Sequence, residues 1–358
     1  MCTHGDSQTT CEKRDATADY VQKWRCSEVS SSIPFMASFL DRAMDSLVVP
    51  GFSRIGYAVR SRSFTRLSDM SLVGKTVVLT GHTSGLGLAA AKQMRAMGAD
   101  LVLVGRDATR STRVGETVRN VPGSGSVDVL VADMGDLRAV ASLATTITST
   151  RSRVDVVVHN AGALLKTRER TAAGQDLTLA VHVYGPFLLT HMLLPLLAAS
   201  HGRVITVASG GMYAVPLPDF SRGHSLELPD DKYDGTRQYA IAKRAQVTLN
   251  EIWATEPSAH GISFHAMHPG WADTPGVASS IPVFRAVTRP ILRTADQGAD
   301  TVSFLAAVDG ARPASGGFWC DREPRPIHRL ASTRRADTPE ARRALWDQVR
   351  GAALGSKS

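Results

Sequence analysis

"TGHTSGLG", residues 80–87, follows the apolar run Val77-Val78-Leu79, and its reading decides the fold. Val73 to Thr80 has the composition of a buried strand, and Leu88 to Met97 is rich in Ala, Leu and Met at helical spacing. Strand, glycine loop and helix make half of a dinucleotide-binding βαβ unit, whose helix N-terminus offers free N–H groups to a pyrophosphate. Gly81 would make the sharp turn, Gly85 the close backbone approach, and Gly87 the tight packing of helix on strand. The spacing is G-x-x-x-G-x-G rather than the commoner G-x-G-x-x-G, so the loop needs support from the rest of the chain.

That support comes downstream. Strand-like runs recur at Thr76–Thr80, Asp100–Val104, Val127–Val131, Val154–Val158, Val204–Val207 and Ile262–Ala266, with helix-compatible stretches between them. Strands alternating with helices imply right-handed βαβ crossovers. The expected fold is α/β: a single doubly wound parallel sheet of Rossmann type with helices on both faces. The expected organisation is a flexible arm over 1–32, a helical extension over 33–70, the catalytic domain over 71–325, and a basic tail or helix over 326–358. No internal repeat interrupts the alternation.

The 358 residues are 43% apolar, enough for a large core. The net charge of +8 owes much to arginines after Arg322, and a solvated basic tail is its simplest reading. Cys2, Cys11, Cys26 and Cys320 are too scattered for a disulfide framework or a metal site, so no metal and a reducing, intracellular, cytoplasmic setting are expected. No apolar run in the sequence approaches the roughly 18 residues of a membrane span. Residues 33–66 carry Phe35, Phe39, Leu40, Met44, Leu47 and Val48 at helical spacing, with Arg54, Arg60, Arg62 and Arg66 downstream. They read either as a helix packed on the domain or a partner subunit, or as a peripheral membrane contact.

Ligands of such sheets sit beyond the carboxyl ends of the strands. After the second run comes Gly105-Arg106-Asp107. An acid at the strand end would hold the ribose of NAD, whereas a nearby Arg accommodates the 2′-phosphate of NADP(H), so NADP(H) is the expected cofactor. Asp133-Met134 follows the third run and suits the adenine; His159-Asn160-Ala161-Gly162 follows the fourth and could lie along the cofactor. The fifth run ends at Ser209, and downstream Tyr239 and Lys243 stand four residues apart, on one face of a helix. A neighbouring ammonium would lower the phenol pKa from its usual value near 10 and fit it for acid/base work.

Thr80-Gly81 with Gly85 and Gly87, the Asn160-Ala161-Gly162 turn, Ser209, Tyr239/Lys243 and Pro269-Gly270 together resemble the short-chain dehydrogenase/reductase pattern over roughly residues 70–320. "RVITVASGGMY", "YDGTRQYAIAKRAQV" and "MHPGWADTPGV" are similar to the subgroup named dehydrogenase/reductase SDR family member 12, and "ADQGADT" and "GGFWCDREP" extend the likeness. The resemblance implies an oxidoreductase acting on a carbonyl or alcohol, with a small-molecule substrate and no nucleic-acid partner. It assigns Ser209, Tyr239 and Lys243 to catalysis. It assigns the cofactor to Gly81, Thr83, Ser84, Gly85, Leu86, Gly87, Arg106, Asp133, Met134, Asn160, Ala161, Tyr239, Lys243, Pro269, Gly270 and Thr274.

One position departs from the pattern. In Val181-His182-Val183-Tyr184-Gly185, His182 stands where the family places a fourth catalytic residue, Asn, that helps to hold a water linking Lys to solvent. An imidazole titrating near neutrality would replace or bypass that relay; packing locally, it would leave a triad. Between Ser209 and Tyr239 lie 29 residues whose Met212, Tyr213, Phe220 and Tyr233 could wall a pocket for a lipophilic substrate, or could be local packing. Trp271 and the segment to Phe284 could form a lid. An NADP-binding regulatory or membrane-peripheral module with little turnover is the alternative, and a homo-oligomer is open.

Overall fold

In the computed structural model the central strand β1 (Thr76–Thr80) pairs in parallel with β2 (Asp100–Gly105) on one side and β4 (Val156–His159) on the other. β3 (Val127–Val131) lies outside β2, and β5 (Arg203–Val207), β6 (Ser263–Met267) and β7 (Gly317–Cys320) follow β4. Strand order is therefore β3-β2-β1-β4-β5-β6-β7-β8, and only β8 (Glu323–Pro324) runs antiparallel. The order reverses direction between β1 and β4, where a doubly wound sheet opens its ligand crevice. The structure describes residues 51–273, 286, 288–308 and 314–355, all within one compact unit, Met44–Ser358. The arm over 1–32, the apolar positions from Phe35 to Val48, Thr274 and the segment from 274 to Phe284 lie outside the described residues.

Both faces of the sheet are covered, which is why the strands read as unbroken apolar runs rather than alternating ones. Val77, Leu79, Leu101 and Leu103 bury against helices α2 (Gly85–Ala96) and α7 (Ala295–Ala307). Val78, Val102 and Val157 bury on the opposite face, among Val140 and Ile147 of α4 (Leu137–Thr150) and Leu189 and Leu193 of the helix that follows β4. That helix, α5 (Leu177–Ser200), is long and apolar enough to cross a membrane by length and composition, although 78% of its apolar window is buried inside the fold. Thr178, His182, Thr190 and His191 break its apolar sequence into short runs, and it is apolar elsewhere because it faces core on most sides. α3 (Ala108–Arg119) and α6 (Gly235–Trp253) complete the two layers.

Two strands went unread. β7 is four residues long and β8 two, too short for a periodicity signal. They join through Asp321 and Arg322, both left-handed at φ 53° and 60°, a two-residue turn that normally carries Asn-Gly. The basic stretch after Arg322 is not a solvated tail. Arg322 pairs with Asp300, Arg342 with Asp337 and Glu251, and helix α9 (Pro339–Leu354) buries Leu345 and Val349. Its Trp346 ring meets Phe187 and Trp253 at centroid distances of 5.1 and 4.8 Å. The short α8 (Ala331–Arg335) leads into it.

Candidate active site

The glycine loop is built by close approach. Gly81 has φ 75°, and a Cβ there would lie 2.7 Å from the Ala161 Cα. At Gly87 a Cβ would lie 2.1 Å from the Gly81 carbonyl oxygen, so the first turn of α2 can sit on the loop only without a side chain. Gly85 is left-handed at φ 53°. Ser84, at the helix N-cap, makes no side-chain capping bond, which leaves the first-turn N–H groups for an anion. Thr83 lies near the end of β2, its Cγ2 3.2 Å from where a Gly105 Cβ would be. Leu86 points away and packs against Gly298 of α7. Asn160 is a brace: its amide donates to the carbonyls of Thr80 and Gly81 at 3.0 Å each, while the N–H groups of Asn160 and Ala161 donate to Thr80 Oγ1. The loop, open at its helix end and tied to β4, fits a dinucleotide pyrophosphate.

At the end of β2, an acid at Gly105 would crowd its neighbours, since a Cβ there would fall 2.3 Å from Ser111 Oγ and that side chain would have to turn aside. Arg106 is exposed. Asp107 is occupied as the N-cap of α3, accepting from the Arg110 N–H at 2.7 Å. The Asp133 carboxylate accepts from the Gly135 N–H at 2.8 Å, and Met134 is buried with its carbonyl against Gly185.

Across the crevice, Ser209 closes β5 and begins a 3-10 turn, its Oγ accepting from the Gly211 N–H at 3.2 Å. α6 starts at Asp234, whose carboxylate caps the Arg237 N–H, and Gly235 lets its first turn press on the Leu165 carbonyl. One turn in, the Tyr239 hydroxyl hydrogen-bonds Ser209. Lys243, a turn further on, donates to the Val207 carbonyl at 2.9 Å and lies 5.4 Å from the Tyr239 ring centroid. Burial sets the titration here. It pushes the Tyr239 phenol up to about 12, against the opposing hydrogen bond from Ser209, and pushes the Lys243 ammonium down to about 7. The expectation that Lys243 lowers the phenol pKa is corrected: burial sets it, opposed only by the Ser209 hydrogen bond, and Tyr239 is a proton donor at neutral pH.

His182 sits inside a five-residue π segment, Ala180–Tyr184, within α5. Such widened turns often mark functional positions. Its ring stands edge-on to Tyr239 at 5.2 Å, Nε2 lies 2.9 Å from the Ala163 carbonyl, and its backbone carbonyl accepts from Gln246. Burial, then the Lys243 charge, lowers its pKa to about 3, so the expected titration near neutrality is corrected: His182 is a neutral imidazole. Behind it lies a cavity of about 30 Å³, room for water, lined among others by His159, Thr190, Thr206, Gln246 and Asn250.

The β6 end carries Pro269 and Gly270. Gly270 is left-handed at φ 70° and is pressed between the Arg293 guanidinium and the Phe52 carbonyl. Met212 and Tyr213 are core, the Tyr213 hydroxyl donating to the Pro326 carbonyl, so they do not wall a pocket. Phe220 lines an open groove of about 1360 Å³ with Pro216, Leu217, Ile241 and the charged Arg168 and Arg237, but Ser209, Tyr239 and Lys243 are not among the residues that line it. Tyr233 lies under Arg168, 4.5 Å from its ring centroid. The sequence reading missed Phe52, Arg293 and the buried Arg244, which donates to the Ile327 carbonyl and pairs with Asp337. No local pattern marks them, because each acts on segments far away in the chain.

A glycine loop on a switch point, with a Ser-Tyr-Lys group facing it, defines an NAD(P)-binding oxidoreductase of the Rossmann type. Residues 75–219 match the family model described as short chain dehydrogenase. Dehydrogenase/reductase SDR family member 12 of Bos taurus is 34% identical over 294 residues, covering 80% of this chain and 89% of the relative. Retinol dehydrogenase 12 of Bos taurus is 28% identical, covering 71% and 80%. Among solved structures, a short chain dehydrogenase from Burkholderia cenocepacia in complex with NADP has a TM-score of 0.56 and 25% identity, covering 69% of this chain and 96% of that one. The chain belongs to the short-chain dehydrogenase/reductase family.

Proposed function

We propose that this chain is an NADP(H)-dependent oxidoreductase that reduces the carbonyl of a lipophilic small molecule, or oxidises the matching alcohol. The observation that carries the reading is the Ser209–Tyr239–Lys243 group opposite the glycine loop. The cofactor supplies the hydride. Tyr239, held protonated, gives its proton to the carbonyl oxygen. Ser209 hydrogen-bonds the same oxygen and steadies the charge that develops there. Lys243, balanced near neutrality, would hold the cofactor's ribose hydroxyls and return a proton to the phenol. The neutral His182 takes the place of the family's Asn: its Nε2 pairs with the Ala163 carbonyl, its ring stands against Tyr239, and the cavity behind it has room for the water that would link Lys243 to solvent. Pro269 and Gly270 would flank the nicotinamide, and Thr274 would serve its carboxamide as the family pattern implies.

NADP(H) over NAD(H) is favoured by three features of one strand end: glycine rather than an acid at position 105, an exposed Arg106, and Asp107 committed to its cap. A lipophilic substrate is supported by the retinol dehydrogenase likeness. Ile55 and Val59, one helical turn apart and exposed, are the surface a peripheral membrane contact would use. A panel of aliphatic, aromatic and isoprenoid aldehydes and ketones, assayed with NADPH and with NADH, tests the reading. Turnover of at least one lipophilic carbonyl, faster with NADPH, is expected; no turnover of any with either cofactor would overturn it.

A further inference from the structure

Helix α1 (Arg54–Arg60) and the residues before it precede the family's matched region by some distance in sequence, yet they reach the catalytic end of the sheet. Phe52 is 5% exposed and lies between two loops of the site. On one side its ring presses on Gly210, the residue after Ser209, where an added Cβ would lie 3.0 Å from Phe52 Cε2. On the other side it stands edge-on to His268, 4.5 Å between centroids, and its carbonyl accepts from the Trp271 N–H at 2.8 Å. Pro269 and Gly270 lie between those two attachment points.

The segment is also bolted down. Arg293, buried, donates to the carbonyls of Gly51, Ser53 and Pro269, and pairs with Asp321. Arg60 donates to the Gly51 carbonyl and to the same Asp321. Two guanidiniums on one buried carboxylate form a rigid network, because removing any partner strands a charge away from water. A ring held this way cannot drift, and both loops it touches are fixed by it.

We infer that Phe52 is a positioning residue, which holds the Ser209 loop and the Pro269–Gly270 turn in register around the nicotinamide end of the cofactor. The inference rests on the cofactor reading above. The adenosine end, built from the glycine loop and Arg106, lies across the sheet and shares none of these contacts. Loss of Phe52 therefore acts on one half of the cofactor only, a selectivity that loss of general stability would not produce.

The test uses the full chain and two ligands: NADPH, and 2′-phospho-ADP-ribose, which keeps the adenosine, both phosphates and the second ribose but has no nicotinamide. Phe52→Ala is expected to weaken NADPH about tenfold and to lower turnover by about 10²-fold, the scale of a misplaced reacting group. 2′-Phospho-ADP-ribose should bind it as it binds the wild type. Phe52→Leu keeps most of the volume and should move NADPH alone, by a smaller factor; it carries the test if Phe52→Ala does not fold. Equal weakening of both ligands, or no change in either, would overturn the inference. If wild type bound neither ligand, the cofactor reading itself would fall, which is a distinct result.

Discussion

The crevice has two walls made of different materials. On the β1–β3 side, the site is defined by what is missing: Gly81, Gly87 and Gly105 leave space, and backbone N–H groups face it. On the β5–β6 side it is defined by polar side chains, with Lys243 and His182 buried and Ser209 and Tyr239 half-buried, and the protonation of Tyr239, Lys243 and His182 follows desolvation. The first wall tolerates no added atom and needs no titration. The second tolerates shape change better but depends on which proton sits where. Binding and chemistry should therefore fail separately, under different substitutions.

Tyr239→Phe attacks the second wall and should have the largest effect. With the proton donor gone and the ring kept, turnover should fall by about 10²-fold or more while NADPH affinity, read by fluorescence, stays at the wild-type value. A loss of both together would mean that the two walls are not separable. Arg106→Ala attacks the first. Loss of a charge-assisted contact should cost about 1.5–3 kcal/mol of NADPH affinity and leave NADH untouched; equal affinities for the two cofactors in the wild type would break the NADP(H) assignment. Gly87→Ala forces a Cβ toward the Gly81 carbonyl and should destabilise by about 1–3 kcal/mol in urea unfolding, with cofactor binding lost in step.

Smaller effects sharpen the contrast. Lys243 titrates in the fold at about 7 and in the unfolded chain at its ordinary value of 10.5, so between these pH values the unfolded state binds more protons. Cofactor-free protein should gain stability as pH rises across that window, and Lys243→Met should flatten the rise. The smallest expected shift is at His182. With its pKa near 3, neither His182→Ala nor His182→Asn should move the acid limb of the pH–rate profile above pH 5. His182→Ala should slow turnover and His182→Asn restore much of it; identical rates in all three would reduce His182 to packing.

The first wall was legible because glycine spacing and strand ends are local signals. The six-strand reading placed β1 through β6 nearly where they lie, and it brought Gly81, Arg106, Asn160, Ser209 and Tyr239 to one edge of the sheet. The second wall was legible in its residues but not in their protonation. His182 and Tyr239 look like groups tuned to neutrality until the surrounding core is known; desolvation is a property of what packs around a side chain, not of its neighbours in sequence. Phe52 and Arg293 were invisible for a related reason. A buried Arg in a polar-looking run, "RPILRTADQG", reads as surface until Asp321 and the Gly51 carbonyl are placed around it.

The turn at Asp321 has a consequence for how the protein is made. Arg60 emerges from the ribosome early and Arg293 late, yet both wait for a carboxylate that lies after almost nine-tenths of the chain. Until Asp321 arrives, closing the N-terminal segment over the β6 end would enclose two uncompensated cations, at a cost the partial fold cannot meet. The Rossmann sheet can assemble during synthesis, domain-first, as nascent chains do. The nicotinamide end cannot. Synthesis order thus separates the pairing of β1 to β6, which precede Asp321 in the chain, from the closing of the β6 end, which waits for it.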